Sequence, residues 1–262
     1  MKILFSIFCW LSLTCAISAQ KQVVPLVEMK LSGLIGGVQN GKWLTAQQTA
    51  AKLKDTTEFF LIDWNGIQKN NTVIGKRGEI EDVCQDFYRM KFDLTMDSGV
   101  AIGEHAKWNP MPRVLQAIDS AAYKKIVADV LKTKGIAKTT VKIEQAYRVD
   151  LEGDEQDEVI LVATFYKNGL DSSPNAGDYS FVLVRKIVGK TVRNIVVAGD
   201  FIKRNIEFGA PNQYVLSSIA DLNGDGKMEI VIYGEYYEGS WAEIYEIKGN
   251  KPTKVLETGC GV

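Results

Sequence analysis

Apolar and polar residues alternate with a period of two along Glu58 to Asp63, Phe87 to Leu94, Val159 to Tyr166, Ser180 to Lys186, Glu229 to Tyr237 and Ala242 to Lys248. Successive side chains of an extended chain point to opposite faces, so each stretch predicts a strand with one buried side. Asn65-Gly66, Gly75-Lys76-Arg77-Gly78, Asn168-Gly169, Gly189-Lys190, Gly239-Ser240 and Gly249-Asn250 interrupt the runs and predict turns. A mainly β (α+β) fold with antiparallel strands follows. One long amphipathic helix is predicted where Tyr123, Ile126, Val127 and Val130 share a helical face, with Asp119 or Ser120 able to cap it and Gly135 beyond its end. A shorter helix is predicted from Thr45, because Thr45-Ala46-Gln47-Gln48 matches a capping box. Pro110 and Pro112 divide the chain into a smaller β-rich, α+β N-terminal region, residues 20–112, and a helix with β repeats, residues 113–262.

The repeat is explicit. Asp150-Leu151-Glu152-Gly153-Asp154-Glu155-Gln156-Asp157-Glu158-Val159 aligns without a gap on Asp221-Leu222-Asn223-Gly224-Asp225-Gly226-Lys227-Met228-Glu229-Ile230. In each copy an apolar strand, a Gly-containing turn and a second alternating strand follow. Such units stack, because one copy alone cannot bury its apolar face.

In the second copy Asp221, Asn223, Asp225 and Glu229 place side-chain oxygens at the first, third, fifth and ninth places of a tight loop, and the Lys227 carbonyl can supply the seventh. Hard cations need oxygens at this density, and an all-protein cage suits Ca2+ better than Mg2+. Gly224 and Gly226 permit the left-handed backbone that so tight a loop requires. An EF-hand is excluded, since Ile232 stands where that loop needs its last Glu and a strand pattern follows in place of a helix. The alternative is a metal-free turn whose Asp side chains bond to nearby N–H groups.

The spacing from Asp221 to Glu229 resembles the calcium loop of FG-GAP and VCBS repeats, which build the β-propeller head of integrin α chains and recur in bacterial secreted proteins. The resemblance covers mainly residues 140–262. It implies Ca2+ as a cofactor, held by Asp221, Asn223, Asp225, Lys227 and Glu229. The first copy departs from the pattern, with Glu155 in place of the second Gly and Glu152 in place of the third-place Asn, so Asp150, Glu152, Asp154, Gln156 and Glu158 form a weaker set. Two copies cannot close a propeller, which takes about four or more blades. Either the N-terminal part supplies degenerate blades, or the repeats make a partial, propeller-like arrangement, an open curved sheet covered by the helix at residues 120–134; the second is expected, because a well-formed helix is not a propeller element.

Lys2, the apolar run from Ile3 to Ile17 and the small residues Ser18 and Ala19 predict a secretory signal peptide over residues 1–19. No later run approaches the roughly 20 apolar residues of a spanning helix, so no membrane span is expected in the mature chain. It should be secreted or periplasmic. Cys9 and Cys15 follow Phe8 and Thr14, not the small residue that lipidation wants, so export leaves Cys84 and Cys260. Two isolated cysteines in an exported chain predict one disulfide, with two buried thiols as the alternative.

With 31 Lys plus Arg against 32 Asp plus Glu, the net charge of −1 supplies no field to gather nucleic acid. His105 is the sole histidine, which excludes multi-histidine metal centres, and no G-x-S-x-G or H-E-x-x-H segment occurs. Carboxylates remain. Glu235, Glu238 and Glu243 near Tyr236, Tyr237 and Trp241 could form a carbohydrate-active site with paired carboxylates. Tyr237 and Trp241 could equally bind a sugar without catalysis, or simply cluster across a hairpin. The expected function is that of an exported, non-enzymatic binding or scaffold protein with calcium-stabilised repeats and a protein or glycan partner; the alternative is an envelope carbohydrate-active enzyme.

Overall fold

The computed structural model describes residues 22–63, 66–80 and 84–261, with side chains described outside 66–73 and 77–80. The expected signal peptide and Asn65 lie outside them. Seven described strands come from residues before 104: β1 (Val24–Glu28), β2 (Gly33–Gln39), β3 (Lys42–Thr45), β4 (Thr56–Asp63), β5 (Gly66–Ile80), β6 (Tyr88–Lys91) and β7 (Val100–Gly103). They run in the order β1-β7-β4-β5-β6-β2-β3, and β1 also pairs with β2. Six of them thus close an antiparallel barrel, which removes free edges, and β3 extends it. Val27, Leu34, Phe59, Leu61, Met90 and Ala101 fill the interior. Their neighbours Leu26, Ile35, Ile62, Val100 and Ile102 point outward and are buried too.

The repeats form two further sheets. β8 (Leu115–Ala117), β9 (Ile143–Val149), β10 (Glu158–Phe165), β11 (Tyr179–Val188) and β12 (Thr191–Phe201) give a five-stranded antiparallel sheet. β13 (Gln213–Ala220), β14 (Glu229–Tyr236), β15 (Gly239–Lys248) and β16 (Lys251–Gly261) give a four-stranded one. Each repeat is one four-strand meander, with its acidic loop between its first two strands.

The layers are stacked by apolar contact. Val149, Ile160, Val182, Leu216, Ile230 and Ile232 form a core between the two meanders. On the outer face of the five-stranded sheet, α2 (Lys124–Thr133) lays Val127, Val130 and Leu131 against Leu161, Ala163 and Phe181. The outer face of the four-stranded sheet rests on the barrel wall, with Val231, Ala242 and Ile244 against Leu26 and Ile102. Burial on both sides is what a sheet inside a stack requires, and it is also why β1 and β2 do not alternate.

Both helices form where the pattern places them. In α1 (Ala46–Ala50) the capping box is complete, with Gln48 N donating to Thr45 Oγ1 at 3.2 Å and Thr45 N to Gln48 Oε1 at 3.0 Å. Asp119 Oδ1 accepts the Ala121 N–H ahead of α2, and Gly135 at φ +90° lets the Ile136 N–H return to the Leu131 carbonyl. Cys84 and Cys260 are bridged, Cα atoms 5.6 Å apart, tying the segment before β6 to the last strand. Among the described residues no helix is long and apolar enough to cross a membrane.

Three expectations are corrected. The repeats make two facing sheets in place of one open curved sheet, and α2 covers only the first, because β12 and β13 do not pair. Gly75 lies within β5 and not in a turn. A Cβ there would come 2.6 Å from the Phe59 ring, so this glycine admits a close-packed aromatic ring. Gly239 begins β15, and the turn falls on Tyr237 and Glu238.

Candidate functional site

The acidic loops lie side by side at one end of the meander sandwich, joined by the Met228 N–H to the Leu151 carbonyl at 2.8 Å. Both use the same device. Asp150 accepts the N–H groups of Gly153, Asp154 and Glu155; Asp221 accepts those of Gly224 and Gly226. The last acid of each loop reaches back to its second residue, Glu158 to Leu151 N at 2.9 Å and Glu229 to Leu222 N at 2.8 Å. Glu155 keeps the left-handed conformation of its counterpart Gly226, φ +68° against +83°. A side chain there costs roughly 1–2 kcal/mol.

Burial pushes Glu229 up to about 8 and Glu158 up to about 7, opposed by those backbone N–H groups and reinforced by neighbouring aspartates. In the second loop Asn223 Oδ1 accepts Asp225 N at 2.8 Å, Asn223 Nδ2 donates to Glu229 Oε1 at 3.2 Å, and Asp225 Oδ1 accepts Lys227 N at 2.9 Å. In the first, Glu152 turns away to the buried Lys186, and Asp154 is taken by Gln156. Among the described residues no three His, Cys, Asp or Glu side chains gather around a point that could hold a metal ion. The donor chemistry of the Asp221 loop fits a hard cation, whereas the arrangement is a turn closed by its own amides.

Trp108, which the sequence places in the same polar loop as His105 and marks with no role, seals this end. Its Nε1 donates to the Asp221 carbonyl at 2.7 Å, and its ring covers Gly224, where a Cβ would come within 3.0 Å. His105 stands three residues away, with Nε2 3.9 Å from Glu104.

A second feature opens elsewhere between the meanders. The shared core is built on β13 and β14, while β15 contributes only partly buried Trp241, Tyr245 and Ile247. Toward β15 and β16 the sheets part, leaving a cleft of about 710 Å3 lined by Asn212, Tyr214, Trp241, Glu243, Tyr245 and Glu257 among others. Trp241 pairs with Gly234 on one side and Gly259 on the other. A Cβ on Gly234 would lie 2.1 Å from the indole, so the ring lies flat across that strand. Its Nε1 donates to Asn212 Oδ1 at 3.0 Å, and Tyr214 packs edge-on with centroids 5.4 Å apart. Asp200 holds both partners, accepting Asn212 N at 2.7 Å and the Tyr214 hydroxyl at 3.3 Å. Glu243 accepts the Tyr245 hydroxyl and, across the strand pair, Lys254 Nζ, each at 2.8 Å, and Lys254 also reaches Glu257 along its own strand.

Tyr237 is not part of the cleft lining. It sits on the hairpin turn, edge-on to Phe208 with centroids 6.1 Å apart. Nor do the three glutamates converge. Register puts Glu235 on the sheet face opposite Glu243, where it meets Lys30 at 3.4 Å, and Glu238 lies in the turn. Compared with known proteins, the chain matches no family model, no curated protein and no solved structure.

Proposed function

We propose that this chain is an exported, non-enzymatic binding protein whose ligand occupies the cleft between its two meanders. The observation that carries the reading is Trp241, an indole laid flat across the neighbouring strand at Gly234, fixed by Asn212 and Tyr214 and lining an open cleft. Side chains locked before binding lose little entropy when a ligand arrives. Glu243 and Glu257 are bridged by Lys254, an arrangement of acceptors suited to holding a ligand.

The two meanders are read as FG-GAP-like repeats on the strength of the Asp221 loop, and Ca2+ is proposed there on donor chemistry alone. An ionised carboxylate offers about four lone-pair sites, and the turn amides of Asp221 and Asp225 leave some of them free. The binding reading is tested by capture from native envelope extracts with wild type and Trp241→Ala. Material retained by the first and lost by the second is expected; identical capture by both removes the cleft as the site.

A further inference from the structure

We infer that the cleft takes an uncharged, hexose-based oligosaccharide, with one sugar ring stacked on the indole of Trp241. The inference rests on the binding reading above and adds the ligand's chemical class. A pyranose has a flat face of C–H groups and a rim of hydroxyls. The C–H face carries slight positive charge and complements the negative face of an aromatic ring. Trp241 rests on Gly234 and meets Tyr214 edge-on, and the part of its indole that lines the cleft is the surface a ligand would meet.

Around that platform stand the groups a hydroxyl rim needs. Glu243 and Glu257 are acceptors that face each other across β15 and β16, with the Lys254 ammonium bridging them and the Tyr245 hydroxyl on Glu243. Glu243 already holds two donors, which fixes its orientation and still leaves lone pairs for a ligand hydroxyl. The balance of charge sets the class. Asp86, Glu243 and Glu257 line the cleft, against one ammonium from Lys254, so the cleft repels uronate, sulfate and phosphate groups. A volume of about 710 Å3, open along one side, accommodates more than a single ring.

The test is calorimetry and tryptophan fluorescence on the full mature chain, using gluco-, manno-, galacto- and N-acetylglucosamine oligosaccharides, with polygalacturonate and heparin as acidic probes. Binding of at least one neutral series is expected, with a change in tryptophan emission and no binding of the acidic probes. Trp241→Ala should weaken it by about tenfold or more, the scale of a buried aromatic anchor. Phe208→Ala, in an exposed ring outside the cleft lining, should leave it unchanged. Glu243→Gln guards against a folding defect in the tryptophan variant: it keeps the side chain's shape and should still weaken binding. Failure of every neutral series at millimolar concentration, a preference for the acidic probes, or affinity unaffected by both cleft variants overturns the inference. Capture from envelope extracts that needs Trp241 but survives enzymatic removal of glycans would overturn the ligand class and leave the cleft as a binding site.

Discussion

Replacing both Cys84 and Cys260 with Ser removes a bridge that spans 176 residues and holds the edge strand β16 to the barrel. In the native state the barrel wall and the four-stranded sheet already hold these segments together through Leu26, Ile102, Val231 and Ile244. The main effect therefore falls on the unfolded chain, which regains the freedom to separate two points far apart in sequence. In the chain-entropy relation a closed loop of this length is worth about 5 kcal/mol at room temperature. That figure is an upper bound, because a real unfolded chain keeps some structure. At about 2–4 °C per kcal/mol for a chain of this size, the melting temperature should fall by about 10–20 °C. Guanidinium unfolding of the oxidised wild type and the double variant measures the difference. The slope with denaturant should rise in the variant, since its unfolded state expands and exposes more surface. Wild type under reducing conditions should reproduce the variant. A loss below about 1 kcal/mol with an unchanged slope would refute the entropic account.

Glu28 is fully buried between barrel and meander, accepting the Leu31 N–H at 2.7 Å and the Ser217 hydroxyl at 2.6 Å. Burial raises its pKa above 4.5, against these hydrogen bonds and the charge of Lys30, so the folded state keeps a proton that the unfolded state has lost. Its contribution is complete below pH 4.5 and is lost as pH rises through the raised value. Urea midpoints should accordingly decline from acid toward neutral pH, and Glu28→Gln should flatten that decline; an unaltered slope counts against the argument. Asp225→Ala, in an exposed turn, should leave the fold intact and abolish a calcium-dependent gain of about 0.4–1.4 kcal/mol at about 1 mM, the range set by extracellular modules. Calorimetry without calcium binding to wild type at several millimolar would leave the amide-closed turn as the whole account. Gly234→Ala should displace the indole of Trp241 and cost about 1–3 kcal/mol, with shifted tryptophan emission; unchanged emission and stability would show that the ring does not rest on that strand.

Local signals determined a good part of this protein. Strands whose burial alternates, such as β15, announce themselves by period two, and α2 by its stripe of Val127 and Val130. The capping box at Thr45, the paired acidic loops and the Cys84–Cys260 bridge were legible because each depends on residue type at fixed spacing or on the isolation of two cysteines. The barrel was not. β1 and β2 are apolar on both faces, since one fills the interior and the other meets the neighbouring sheet, and a chain buried on both sides shows no alternation. Glycines within strands misled for a related reason: Gly75 serves the approach of Phe59, a contact between strands that no turn signal encodes. The cleft depends still more on tertiary structure. Trp241 was visible as an aromatic residue, but its flat pose needs Gly234, Asn212 and Tyr214 around it, and its opening needs two sheets that part at one edge. Spacing along a chain reports which face a side chain takes, and only packing decides what that face meets.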